Sequence, residues 1–292
     1  PKGELLGTTK WEFGEVISNS DEQQAVQVKK EYYDNSQVKS IGNYNNEGKP
    51  VGIFREYTPQ GNISNSKIYI DGVLMGVGIV DDAGVKQGSW IEYYESSEIR
   101  SKGVYKNGKR IDEWKFYHLN GKIEQKGEYK KDGRITGEWK WFYENGNIER
   151  EENFIKGKES GFFVEYCDTG KVISKGNFLD GLKEGLWYYY VGDYREEGNY
   201  AGDYQTGIWK HYYDNNKLRF QGNYIDNEPE GKHIYFYKNG NKMLQGEYVM
   251  GKKEGEWKRY NEYNEVVFTI EYSNGEEIKV DGIKLKIEEV EQ

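Results

Sequence analysis

Three histidines (His118, His211, His233), one cysteine (Cys167) and the carboxylates Glu149, Glu151 and Glu152 are the side chains with the types for metal binding or catalysis. Metal ligation needs such groups converging at short, defined spacings. Each histidine stands in a separate segment with no Cys or His nearby. Cys167 has no base close to it in sequence, so it reads as a buried or half-buried thiol rather than an activated nucleophile. The three glutamates read as a solvated strand edge. No nucleophile elbow, metal motif or phosphate-cradling loop appears, because no glycine is followed by Lys-Ser/Thr and a helix. The chain reads as non-catalytic, with no cofactor and no metal. Ring chemistry is the richer prospect. Phe116, His118, Trp141, Tyr143, Tyr189, His211, Tyr213, Tyr235 and Tyr237 recur two or four residues beyond one aromatic slot. Tyr and Trp are favoured at binding hot spots, so these are the candidate partner-binding residues. The same rings could instead thicken a thin core.

The elements that carry them are repeats. Gly88, Asp112, Gly137, Gly161, Gly185, Gly207, Gly231 and Gly255 open similar units at spacings of 24, 25, 24, 24, 22, 24 and 24 residues. A fixed short period means one supersecondary unit stacked on its neighbours. In Gly137–Ser160, the aromatic run Trp139 to Tyr143 has high strand propensity. Asn145-Gly146 follows and predicts a type I′ turn. Ile148 to Phe154 is a second strand-length run, and Lys156-Gly157-Lys158 makes the next turn. Each unit is thus a β-hairpin, and no stretch has the apolar spacing of an amphipathic helix.

Three positions recur inside the unit. Six tryptophans share one slot (Trp90, Trp114, Trp139, Trp187, Trp209, Trp257), with Phe163 and His233 in the other two units. A strand glycine sits two residues before an aromatic, as in Gly198/Tyr200 and Gly222/Tyr224. Such a glycine admits a close neighbour, here predicted to be an indole. Glu152 replaces this glycine, so its unit should pack differently. A further aromatic stands three residues after the Trp, from Tyr93 to Tyr260, on the opposite face by strand alternation. Both faces of a single layer then carry an aromatic stripe.

The pattern G-x-W-x-x-Y-x-x-N-G-x-I-x-x-x-G-x-Y-x-x-G resembles the MORN-repeat variant family, whose bacterial members include YwqK-like antitoxin and immunity proteins. The resemblance covers roughly 27 to 278. It implies an all-β, elongated repeat protein: a single-layer antiparallel sheet of tandem β-hairpins, curled into a rod or trough. It also implies a protein-binding module, antitoxin-like, immunity-like or scaffold, that grips an unidentified protein partner. An exported cell-surface adhesin or a cell-wall or carbohydrate binder is the alternative, since aromatic-rich short repeats also serve that use.

Residues 1–27 read as a degenerate N-terminal cap containing Trp11 and Phe13, and 28–281 as the hairpin array. Gly52 to Gly88 spans 36 residues, so 72–87 reads as a half-repeat insertion, strand or loop. Residues 282–292, with alternating Ile283, Leu285 and Ile287, read as a capping strand and tail. Open sheet edges would leave self-association as a hazard.

Composition agrees with a thin sheet. Hydrophobic residues make up 35%, and 27 tyrosines exceed what an ordinary core uses. The net charge of −9, with lysines scattered among acids, argues against nucleic acid and anionic lipid. No apolar stretch is long enough for a transmembrane helix. A single cysteine excludes an internal disulfide framework. The chain begins at Pro1, which a removed export signal or a trimmed chain would equally produce. Localisation, cytoplasmic or exported, stays open.

Overall fold

The computed structural model describes residues 26–192 and 194–285, with the backbone alone at 10–12, 15–18 and 191. Every regular element among them is a β-strand. From Gln27–Tyr32 onward the strands run antiparallel, each paired with its neighbours in sequence, and the sheet is not closed into a barrel.

Two compact units divide the chain: 1–123 with 129–133, and 124–128 with 134–292. In the first, Gln27–Tyr32 and Val38–Tyr44 are followed by Pro50–Tyr57, Ile63–Ile70, Val73–Val80, Lys86–Tyr93, Ile99–Lys106 and Lys109–Tyr117. The insertion at 72–87 therefore supplies a complete extra strand, Val73–Val80, paired on both sides. In the second unit the hairpins run from Ile135–Phe142 to Glu276–Val280, and Ile283–Lys284 adds a two-residue strand beside Lys279 and Val280. Lys10–Glu12 pairs with Glu15–Ser18. Phe13 and the rest of the N-terminal cap lie outside the described residues, as does Ile287.

The first turn differs from the type I′ turn that the sequence predicts. At Asn145-Gly146, Gly146 N–H donates to Tyr143 C=O at 2.8 Å and Tyr143 N–H to Asn147 C=O at 2.9 Å. Only Gly146 has positive φ, so this is a three-residue loop with a type I turn and a glycine bulge, not type I′. Across the eight units the second turn is the I′ one, except at Lys130–Gly133, where Gly133 N–H donates to the Lys130 carbonyl at 2.8 Å and Asp132 keeps a negative φ. Asn107 and Gly108 have φ of 51° and 73°, and Lys106 faces Lys109 across them. Asp180-Gly181 and Met250-Gly251 follow the same pattern. The opening glycines do a third job. Gly207 (φ 66°) sits in a bulge where Gly198 of the preceding strand faces Gly207, Ile208 and Trp209 together. Asp112 takes this conformation at φ 56°, since Asp tolerates the left-handed region better than most residues.

That bulge swings each tryptophan over the glycine of the strand before it. Trp209 lies on Gly198, Trp187 on Gly176, and Trp114 on Gly103, so closely that a Cβ there would overlap the indole. The indole N–H then donates to a backbone carbonyl ten residues back: Trp114 to Val104 at 3.1 Å, Trp187 to Asn177 at 3.1 Å, Trp209 to Asn199 at 3.2 Å. His233 copies this with Nε2 2.8 Å from the Asn223 carbonyl, fixing Nε2 as the donor. Trp90, Trp114, Trp187, Trp209 and His233 are essentially inaccessible. Where Glu152 replaces the glycine, Phe163 replaces the tryptophan, because the smaller ring leaves room for a side chain. The recurring core is one ring deep.

Candidate functional site

Strand alternation sorts the side chains onto two faces, and the Trp face is where the sequence-predicted residues belong. In the first unit, Phe116 packs at 5.9 Å from Trp114, and the Arg110 guanidinium lies 5.0 Å over its ring. His118 begins the turn to Lys122, its N–H donating to the Lys122 carbonyl.

In the second unit, Trp141 packs at 5.9 Å from Trp139 with Arg150 only 4.0 Å above its ring. Tyr189 stacks on Trp187 at 5.8 Å and an interplanar angle of 21°. His211 and Tyr235 meet through Phe220, with centroid distances of 4.7 and 4.9 Å. All of these candidates are half-buried.

Tyr143, Tyr213 and Tyr237 form a different set. Each donates its hydroxyl to a carbonyl 23 residues ahead at 2.7 Å: Tyr166, Phe236 and Tyr260 respectively. In the first unit Tyr94 does the same to Tyr117, and Tyr33 reaches Tyr57, 24 residues ahead. These tyrosines tie consecutive hairpins together, so their hydroxyls are committed to the fold.

A set of residues that sequence reasoning missed lies four positions before the tryptophan. Lys86, Arg110, Lys183 and Lys253 each hold their cation over Trp90, Trp114, Trp187 and Trp257 at 4.6, 4.6, 4.8 and 4.7 Å. A cation on an indole face contributes about 0.5–2 kcal/mol, more when desolvated. The signal was the basic residue at a constant offset within the repeat. Burial lowers the Lys183 ammonium pKa, and its Nζ also donates to the Tyr189 hydroxyl at 2.8 Å. At the same offset from Trp139, Phe163, Trp209 and His233 stand Ile135, Glu159, Gln205 and Pro229, and among the described residues no Lys or Arg lies over Trp209 or Tyr235.

Glu92, Glu152 and His233 are buried on this face and His211 is half-buried; burial raises the Glu152 pKa, partly opposed by Arg150. Glu92 accepts from Lys86 at 2.6 Å, Ser101 at 2.7 Å and Tyr105 at 3.0 Å. Burial alone would raise its pKa, but these donors outweigh it and hold the carboxyl at about 2. Burial lowers the pKa of His211, partly opposed by Glu196 at 3.7 Å. Burial likewise lowers His233, partly opposed by its bond to Asn223. These groups build a folded sheet with satisfied charges. Cys167 is a free thiol in a surface turn, 3.0 Å from the Thr169 hydroxyl, which lowers its pKa. Among the described residues no group of three or more His, Cys, Asp or Glu is placed to hold a metal ion.

The opposite face carries the second aromatic stripe. Lys102 lies over Tyr117, Lys126 over Phe142, and Arg195 over Tyr212. Tyr166 and Tyr212 donate to Glu151 and Glu197 at 3.0 and 2.6 Å. No helix is long and apolar enough to cross a membrane among the described residues.

Among solved structures, a chain of the Photorhabdus luminescens Tc holotoxin pore is 12% identical with a TM-score of 0.21, covering 80% of this chain and 13% of its own. A TcdB2–TccC3 chain is 10% identical with a TM-score of 0.15, covering 85% of this chain and 19% of its own. The present chain thus spans less than a fifth of either. No curated protein matches it. The MORN repeat variant, by contrast, matches at six places, 28–46, 86–107, 113–131, 135–156, 205–226 and 229–250, each covering one hairpin, so the chain is similar to that repeat family over these six hairpins.

Proposed function

We propose that this chain is a non-catalytic protein-binding module of the antitoxin, immunity or scaffold kind, and that it grips a protein partner on the Trp face of the second unit. The observation that supports this reading most is the His211–Phe220–Tyr235 cluster. In four of the eight units a Lys or Arg four residues before the Trp covers the ring, whereas Ile135 and Glu159 stand there in two others. Here Gln205 and Pro229 leave Tyr235 without a stacked cation among the described residues, while Glu196 sits beside His211. A partner's arginine could occupy that place, stacked on Tyr235 and paired with Glu196, which is how hot spots commonly join a ring to a desolvated charge. Acidic net charge favours encounter with such a basic patch.

Affinity capture with mass spectrometry from source cells tests this, using the native chain and a His211→Ser/Tyr235→Ser double variant. The partner should be retained by the first and lost from the second, with the far-ultraviolet dichroism unchanged. Equal recovery by both would exclude this cluster as the binding site.

A further inference from the structure

The face opposite the tryptophans changes character within the second unit. Immediately before each Trp slot the residues read Glu138, Phe162, Leu186, Ile208, Lys232 and Glu256. Cross-strand partners confirm the face: Phe162 faces Asn177, Leu186 faces Asn199 and Ile208 faces Asn223, while Phe163, Trp187 and Trp209 face the glycines. The three apolar residues are 41–44% exposed, unusually open for large side chains in register with one another. Beside them, at the rim of the I′ turns, Ile155, Leu179, Leu182 and Ile225 are 47–57% exposed. The amides Asn153, Asn177, Asn199 and Asn223 fill the places that Glu247 and Glu271 take further on. Glu184, within the row, spends its carboxylate on the Gly202 N–H at 3.0 Å. Charge is thus depleted where apolar surface is open, which is the composition of an interface core.

We infer that this face is a docking surface for a second copy of the same chain, packed face to face about a two-fold axis running along the strand of Leu186. The charge pattern selects this occupant. A two-fold there sets each strand n places before Leu186 against the partner's strand n places after it. Leu186 meets its own copy, Phe162 meets Ile208, and Asn177 meets Asn199. At the margins Glu138 meets Lys232, an attractive pair formed twice by symmetry. The other in-plane axis would set Glu138 against Glu138. The area is also adequate. Nine strands from Ile135–Phe142 to Glu228–Phe236 at about 4.8 Å spacing, over half a strand length, give on the order of 600 Å² per copy. Two copies then cover about 1,200 Å², the lower bound for a specific interface. The dimer is therefore of modest affinity, and it leaves the Trp face free for a different partner.

Sedimentation velocity of the full chain from about 1 to 100 μM tests this. The native chain should pass from monomer to dimer. Leu186→Glu should weaken association about 100-fold, as a charge forced into an interface core does, and Ile208→Glu gives a second reading of the same core should Leu186→Glu disturb the fold. Glu138→Lys and Lys232→Glu should each weaken it about tenfold, while the double swap restores it to within about threefold. Lys140 keeps its bond to Glu151 when Glu138 is replaced, so the fold tolerates the change. The His211→Ser/Tyr235→Ser variant should dimerise like the native chain, which separates failure here from failure of the partner-binding reading. A native chain that stays monomeric at about 100 μM, core variants that associate normally, or a double swap without rescue would overturn the inference.

Discussion

Gly198→Ala adds one methyl group at the point where Trp209 lies flat on the sheet. Gly198 has no left-handed backbone, so its cost is steric alone. The added Cβ overlaps Cδ2, Cε2 and Cγ of the indole, and Trp209 is 1% exposed, so the ring has nowhere to yield except outward. Lifting an indole of about 200 Å² off the sheet forfeits about 5 kcal/mol at 25 cal/mol/Å², an upper bound. Its hydrogen bond to Asn199 is worth about 1 kcal/mol more. Partial adjustment by the neighbouring strands should bring the measured loss to about 3 kcal/mol. Trp209→Ala alone should cost about 3–5 kcal/mol, as for large buried aromatics. With the ring gone, the methyl has space, so Gly198→Ala/Trp209→Ala should cost little more than Trp209→Ala, a coupling of about 3 kcal/mol. Gly207→Ala is the control in the same hairpin: φ is 66° with nothing within 4 Å, so only left-handed strain of about 1–2 kcal/mol is added. Chemical denaturation followed by tryptophan fluorescence, with amide hydrogen exchange to localise the loss, reads all four variants. Exchange should rise in Tyr194–Ala201 and Tyr204–Tyr212 and the strands beside them, since repeats transmit stability only to neighbours. Additive costs for Gly198 and Trp209, or equal costs for Gly198→Ala and Gly207→Ala, would refute the ring-on-glycine account.

Acid titration should expose the Glu92 cluster. Its folded pKa is depressed, so the stabilisation is present above the ordinary carboxylate range and is lost as pH falls to about 2; amide exchange at Lys86–Lys106 should report a loss of about 3 kcal/mol that Glu92→Gln abolishes. His233 acts in the same direction at a higher pH. Because its folded pKa is lowered, the unfolded chain takes up the proton first, and stability falls as pH drops below about 6.5; His233→Trp should flatten that part of the profile measured by denaturation. Tyr213→Phe should cost about 1 kcal/mol in thermal or chemical unfolding by leaving the Phe236 carbonyl without its donor.

The candidate site was legible in outline. The offset of two from the Trp slot puts Phe116, Trp141, Tyr189, His211 and Tyr235 beside the core ring, as period-two alternation requires. The offset of four was less informative, because Tyr143, Tyr213 and Tyr237 stand where the strand runs into its turn. There a hydroxyl reaches the next hairpin's carbonyl, a contact between residues 23 apart that no local pattern encodes. Asn145-Gly146 misled for a related reason. The dipeptide suits a I′ turn, but loop length is set by how the flanking strands register, and the ladder here closes Tyr143 on Asn147.

The amino-acid sequence by itself determined the repeating hairpin, the strand count per unit, the identity of the core ring and the need for glycine beneath it. All of these follow from short-range periodicity and from side-chain size. Tertiary structure decided which repeat's ring covers which glycine, because a bulge at each opening glycine offsets the ladder and hands the indole to the preceding strand. It also decided that a cation four residues before the Trp folds back over it, and that 72–87 becomes a paired strand. Most consequentially, it showed that Phe162, Leu186 and Ile208 share one exposed face, which depends on cross-strand register rather than on any single strand's composition.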